Sequence, residues 1–202
     1  MNKTNSFNIL TLGIGGEGVL LSGVIIARAA NLEGYFVTGL QLHGLAQRGG
    51  SIPVFVRLGN VHAPTIPRGR ADLILAFEPS EALRYAKYGF REKTIFIIDD
   101  KPVKSLYSEI ANEYYPTTEE IKQYLKPFAK SVYFVDAAKE CEKRFGSILY
   151  SNTMMIGIAH GCGLIPIKKE NIIKALDITV KYGLEQNIEA FKVGVEKGKS
   201  LR

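Results

Sequence analysis

Cysteine is nearly absent from this chain. Cys141 and Cys162 are the only two in 202 residues, and they form no Cys-x-x-Cys. Two thiols cannot complete a tetrahedral zinc site or a four-thiolate iron–sulfur cluster, and they build no disulfide framework. They read as reduced packing residues of a cytoplasmic protein. Long apolar runs are also missing, so no segment is expected to cross a membrane, and the opening MNKTNSFNIL lacks the core and cleavage site of a secretory signal. There is no block of like charge either. The net charge of +6, from 26 basic and 20 acidic residues, is thinly spread, with lysines scattered from Lys87 to Lys199. That suits a solvated surface rather than the concentrated basic stripe of a nucleic-acid binder, and it stays compatible with an acidic partner or an anionic ligand.

What is present describes an ordinary globular chain of one large domain, 46% apolar and 23% charged. Residues 7–12 read as a strand followed by a glycine turn. Residues 19–30 read as a helix stopped by Gly34 and apolar around much of its circumference. Such a helix is buried between a sheet and a further layer, from this chain or from a partner. Further strands are expected over 35–42, 51–58, 72–77, 94–99 and 131–136, with Pro53 placing the 51–58 strand at an edge. Helices are expected after Ser80 as cap and before Gly89, from Thr117 or Thr118 with carboxylates in the first turn, and over 137–145, 152–161, 169–182 and 184–195. Residues 101–113 are assigned no element. With no linker and no repeat, the fold class is α/β, a Rossmann-like and largely parallel sheet flanked by helices with a helical C-terminal part. The sheet region covers about 7–136 and the helical part about 137–198.

The stretch GIGGEG, from Gly13 to Gly18, matches G-x-G-x-x-G between a strand and a helix. In that reading Gly13 makes the tight turn, Gly15 admits a ligand or another backbone, and Gly18 lets the helix pack on the strand. The exposed N–H groups and the positive helix end favour an anion. Two features oppose a dinucleotide. The second strand ends GLQLHG, with Gln41 and His43 but no carboxylate for a ribose, and Glu33 lies in the turn before that strand. Glu17 is read into the first turn of the helix, where its charge repels a phosphate. A dinucleotide site, a turn needed only for packing, and contact with another anionic group or a partner's backbone all remain open.

A second glycine-bearing loop, QLHGLAQRGGS, follows the second strand. Loops at the carboxyl ends of parallel strands face one crevice, so this loop and the Gly13–Gly18 turn are expected to be neighbours. His43, Gln47 and Arg48 become rim candidates, and Arg48 could hold a carboxylate or phosphate with two hydrogen bonds. Gly49 and Gly50 let the chain turn sharply into the strand that starts at Ser51. The plain alternatives are a structural histidine at position 43 and a surface ion pair at Arg48.

Three stretches, GIGGEGVLLSGVIIARAA, LHGLAQRGGSIPVFVRLG and ADLILAFEPSEALR, together with YSNTMMIGIAHGCGLIP, resemble the gamma-type domain of 2-oxoacid:ferredoxin oxidoreductases. Within that family the likeness is nearest to the small (beta) subunit of indolepyruvate:ferredoxin oxidoreductase, and it covers nearly the whole chain, 1–202, as one domain. HG-x-x-QRGGS is its most specific element; Glu17 stands where the family often has glutamine. The resemblance implies an accessory subunit that binds no cofactor alone. Thiamine diphosphate, Mg2+ and iron–sulfur clusters would belong to a large catalytic subunit, with coenzyme A as co-substrate and ferredoxin reached through the complex. In agreement, the sequence has no GDG followed by paired asparagines. The implied contacts to ligand or partner subunit are Gly15, Gly16, Glu17, Gly18, His43, Gln47, Arg48, Gly49, Gly50 and Ser51, none of them catalytic and none a metal ligand. The resemblance leaves open a gamma subunit specific for pyruvate or another 2-oxo acid. Exposed apolar helix faces would let the isolated chain pair with itself.

Overall fold

The computed structural model describes residues 6–16, 18–42, 49–103 and 114–201. Its strands are β1 (Phe7–Ile14), β2 (Val37–Gln41), β3 (Ser51–Leu58), β4 (Leu73–Ala76), β5 (Ile95–Asp99) and β6 (Ser131–Val135). Its helices are α1 (Val19–Leu32), α2 (Pro79–Arg84), α3 (Thr118–Leu125), α4 (Ala137–Phe145), α5 (Ser151–Gly161), α6 (Lys169–Thr179) and α7 (Leu184–Ser200). The six strands form one sheet in the order β2-β3-β1-β4-β5-β6. β1, β4, β5 and β6 run parallel, while β3 is antiparallel to both β1 and β2. Five strands therefore share a direction and β3 alone is reversed, a mixed sheet rather than a uniformly parallel one.

Both faces of the sheet are covered, which is why its strands are apolar runs rather than alternating ones. β1 shows the division. Ile9 enters a large core with Val54, Val56, Leu75 and Ile97, closed by α1, α4, α5, α6 and α7. Its neighbours Leu10 and Leu12 point the other way, into a smaller core with Phe55, Phe96, Ala82 of α2 and Ile121 of α3. The layer over α1 comes from this chain: Arg28 Nη1 donates to the Ile178 carbonyl at 3.2 Å and to Thr179 Oγ1 at 2.9 Å. Glu33 Oε2 accepts from Lys168 N at 2.9 Å and from Asn171 Nδ2 at 2.7 Å, so it caps α6. Helices α5 and α7 meet through glycines. A Cβ on Gly157 or Gly161 would lie 2.2 or 2.1 Å from a carbonyl of α7, and one on Gly194 or Gly198 would lie 2.2 Å from a carbonyl of α5.

Several local expectations need correction. β3 is an interior strand, not an edge, paired with β2 on one side and β1 on the other. The Pro53 carbonyl accepts from Leu42 N at 3.2 Å, just beyond the last residue of β2, so the missing N–H faces the end of a ladder rather than its middle. Helix α2 is capped by Glu78, not Ser80: the Glu78 side chain accepts from Glu81 N at 3.0 Å, with Pro79 at the first helical position. It ends at Arg84, and a separate 3₁₀ turn (Ala86–Tyr88) is the element that Gly89 closes. Helix α3 starts after Thr117, which forms a capping box with Glu120. Helix α6 stops at Thr179 because Val180 is extended, and α7 continues past 195 because Gly194 and Gly198 seat it on α5.

Candidate functional site

The two glycine loops meet where β1 ends and β3 begins. Ile14, the last residue of β1, pairs with Ser51, the first of β3. Beyond that pair the ladder continues as bare backbone. Gly15 N donates to the Gly50 carbonyl at 2.8 Å, and Gly49 N donates to the Gly15 carbonyl at 3.3 Å. The backbone that approaches Gly15 is therefore the chain's own. Gly49 has a φ of 75°, which glycine adopts without a Cβ clash. Gly15, Gly16, Gly49, Gly50 and Ser51 thus form one continuous rim. Glu17, His43, Gln47 and Arg48 lie outside the described residues.

The glycine turn differs from its motif reading in three respects. Gly13 lies inside β1, paired with Ile52, and makes no turn. Helix α1 begins at Val19 with Gly18 as its N-cap, so no acidic residue occupies the first turn and Glu17 precedes the cap. The close packing at Gly18 is against α5 rather than β1, since a Cβ there would lie 2.3 Å from Asn152 Nδ2.

A cavity of about 450 Å3 opens beside Gly16 and Gly18. Leu21 of α1, Tyr150 and Asn152 at the start of α5, and Lys181, Tyr182 and Gly183 before α7 line it. The N-cap of α1 is Gly18, which has no side chain to cap the first turn, and the positive end of that helix borders the cavity. Asn187 at the back is committed to the fold: it accepts from Thr153 Oγ1 at 2.7 Å and donates to the Gly183 carbonyl at 2.8 Å. The mouth is apolar, with Leu149 74% and Tyr182 89% exposed.

Behind the rim sits a pair of buried carboxylates that motif reading missed. Glu78 is 0% and Glu81 3% exposed, at the cap and in the first turn of α2. Ser51 Oγ donates to Glu81 Oε2 and lies 3.2 Å from Tyr85 Oη. Arg84 Nε donates to Glu81 Oε1 at 2.9 Å. Glu78 accepts from Ser80 Oγ at 2.6 Å and from the Tyr115 hydroxyl. Burial pushes the Glu81 carboxyl above its ordinary range despite the hydrogen bonds from Ser51 and Arg84. Burial and the Glu78 carboxylate likewise push the Tyr115 phenol up. The local signal was the order Glu78-Pro79, an acid directly before a proline that opens a helix. The cavity wall from α5 and α7 had no such signal, because its residues are more than a hundred positions from Gly18.

Among the described residues no three His, Cys, Asp or Glu side chains gather as metal ligands, and no helix is long and apolar enough to cross a membrane.

A mixed six-stranded sheet covered on both faces, with paired glycine loops where β1 ends and β3 begins, defines an α/β protein. The family model for pyruvate ferredoxin/flavodoxin oxidoreductase matches residues 8–197, and the chain belongs to that family. It is 38% identical over 196 residues to the indolepyruvate oxidoreductase subunit IorB of Archaeoglobus fulgidus, covering 96% of both chains. Two solved structures share its fold. The gamma subunit of a keto/oxoacid ferredoxin oxidoreductase from Geobacter sulfurreducens superposes with a TM-score of 0.68 at 22% identity, over 96% of this chain and 99% of that one. The 2-oxoglutarate:ferredoxin oxidoreductase of Magnetococcus marinus, solved with 2-oxoglutarate, coenzyme A and succinyl-CoA, superposes with a TM-score of 0.74 at 20% identity, over 98% of this chain and 32% of that one.

Proposed function

We propose that this chain is the accessory subunit of an indolepyruvate:ferredoxin oxidoreductase, acting in the coenzyme A-dependent oxidative decarboxylation of aryl pyruvates. The observation that carries the reading is the fused rim. Gly15 and Gly50 are joined backbone to backbone at 2.8 Å, beside a cavity mouth that leaves Leu149 and Tyr182 in solvent. Large exposed apolar side chains next to a helix end whose N-cap is glycine suit a partner protein's surface with an anionic group between the two. The near full-length likeness to a subunit named for indolepyruvate supports the substrate class, and the neighbour solved with coenzyme A supports the co-substrate.

In this reading residues 1–202 act as one gamma-type unit in the cytoplasm. Thiamine diphosphate, Mg2+ and iron–sulfur clusters reside on a larger catalytic subunit, which passes electrons to ferredoxin. Two buried cysteines are too few for a four-thiolate cluster, and among the described residues no three metal-ligating side chains gather. The chain's own part is positioning. Gly15, Gly16, Gly18, Gly49, Gly50 and Ser51 shape the rim, while Glu17, His43, Gln47 and Arg48 contact ligand or partner, with Arg48 opposite a carboxylate or phosphate. The same apolar mouth would let the isolated chain pair with itself.

A stand-alone dinucleotide protein is the weaker reading, because Gly13 lies in a strand and β2 ends at Gln41 without a carboxylate. The deciding experiment is to assay ferredoxin or viologen reduction with the large subunit, with and without this chain, using indolepyruvate, pyruvate and 2-oxoglutarate. Activity that needs both chains and prefers indolepyruvate is expected. Full activity from the large subunit alone would overturn the proposal.

A further inference from the structure

The glycine rim is held from behind by a buried side chain, Glu81. Gly49 and Gly50 reach Gly15 only if the chain leaving them is fixed in direction, and the next residue is Ser51. Its hydroxyl donates to Glu81, a residue 30 positions away on α2. A glutamate at the third position of a helix would ordinarily reach back to its own N-cap amide. Here only the first half of that capping box forms: Glu78 accepts from Glu81 N at 3.0 Å, and the Glu81 carboxylate turns to Ser51 instead. Arg84 occupies its second oxygen at 2.9 Å, and Tyr85 Oη lies 3.2 Å from the Ser51 hydroxyl. Both carboxylate oxygens of Glu81 are thus held, one by Ser51 and one by Arg84.

We propose that Glu81, acting through Ser51, is the positioning residue that holds Gly49 and Gly50 against Gly15 and so sets the shape of the rim. Its importance for turnover rests on the subunit reading above; its effect on the rim does not. A carboxylate at 3% exposure beside a second buried carboxylate, Glu78, costs stability, and burial raises its protonation equilibrium. A side chain kept at such a cost is expected where geometry serves function.

Amide hydrogen exchange on the full chain tests this directly. Ser51→Ala and Glu81→Ala should each speed exchange at the Gly15 and Gly49 amides by about fivefold or more, as loss of one buried hydrogen bond implies. Exchange in β4 and β5 should not change. Ser51→Thr, which keeps the hydroxyl, and Glu81→Gln, which keeps an acceptor, should restore most of the protection. The double variant Ser51→Ala/Glu81→Ala should be no faster than either single one. Unchanged rates, or uniform acceleration across the sheet, would overturn the proposal; if Glu81→Ala fails to fold, the Ser51 pair decides alone. In the assembled complex Ser51→Ala should raise KM for indolepyruvate or coenzyme A with little change in kcat, and unchanged KM values in an active complex would also overturn it. Failure of a complex to form would strike the subunit reading instead, leaving the exchange result to decide this one.

Discussion

Gly157 and Phe191 touch backbone to backbone: a Cβ added to Gly157 would lie 2.2 Å from the Phe191 carbonyl oxygen. Gly161, Gly194 and Gly198 repeat the relationship along the same helix pair, so the backbones of α5 and α7 meet with no side chain between them at these positions. That pairing positions Tyr150, Asn152, Gly183 and Asn187 together in the wall of the cavity.

Enlarging that seam should therefore be costly. Backbone cannot rotate away as a side chain can, so Gly157→Ala must part the helices. Gly157→Ala and Gly194→Ala are each expected to destabilise the fold by about 1–3 kcal/mol, the range for overpacked cores. Gly146→Ala, where a Cβ meets nothing within 4 Å, is a comparison that costs only the strain of its φ of 67°. Urea midpoints at constant slope measure the difference, and equal midpoints for Gly157→Ala and wild type would refute the close-packing account.

The cysteines should be inert in the native chain. Cys141 is fully buried, 4.0 Å from Met154 Sδ, and burial with the Asp99 and Glu140 charges pushes its thiol up to about 12. Cys162 is buried with its sulfur 3.3 Å from the Gly198 carbonyl. The thiolate is the reacting form, so iodoacetamide at pH 8 should leave both unmodified until denaturant is added. Mass spectrometry before and after urea reads this, and rapid native labelling of Cys141 would contradict the burial described.

Glu81 gives a pH dependence of definite sign. Desolvation holds its folded-state value above the ordinary 4.5, which means the native chain binds this proton more tightly than the unfolded chain. The associated stability is present while the group is protonated and is lost as pH rises through the raised value. Glu81→Gln removes the titration. Wild type should therefore lose stability relative to Glu81→Gln as pH climbs from about 4 toward neutrality. Denaturation midpoints of both proteins across that range check the sign, and an opposite trend would mean that Ser51 and Arg84 outweigh burial.

Arg48→Ala tests the loop's anionic contact. If its guanidinium holds a carboxylate or phosphate, KM in the assembled complex should rise about tenfold or more, in line with hydrogen bonds to charged groups. Unchanged kinetics with a lowered melting temperature would instead make Arg48 a structural ion-pair residue.

The layers of the fold were legible along the chain, because their signals are local. FNILTL, ADLILA and TIFIID are apolar on both faces, as strands buried beneath helices must be. Thr117 and Glu120 carry a capping box within four residues. Local signals misled where neighbours decided the outcome. Pro53 suggested an edge, yet β3 is interior and tolerates the proline because only the end of β2 faces its missing donor. Gly13 and Gly18 fitted a nucleotide motif, but Gly13 remained in the ladder with Ile52, and Gly18 is required by Asn152 on a distant helix.

By itself, then, the sequence determined which segments are strands and helices, and that two glycine loops follow β1 and β2, since side-chain periodicity and turn chemistry act within a few residues. Only the tertiary structure decided that β3 runs backwards between β2 and β1, bringing Gly50 to Gly15. Only there do Glu81 find Ser51 and the glycines of α7 seat on α5 to wall the cavity. Those contacts join residues tens of positions apart, and whether such residues meet depends on the packing of the whole chain rather than on any stretch of it.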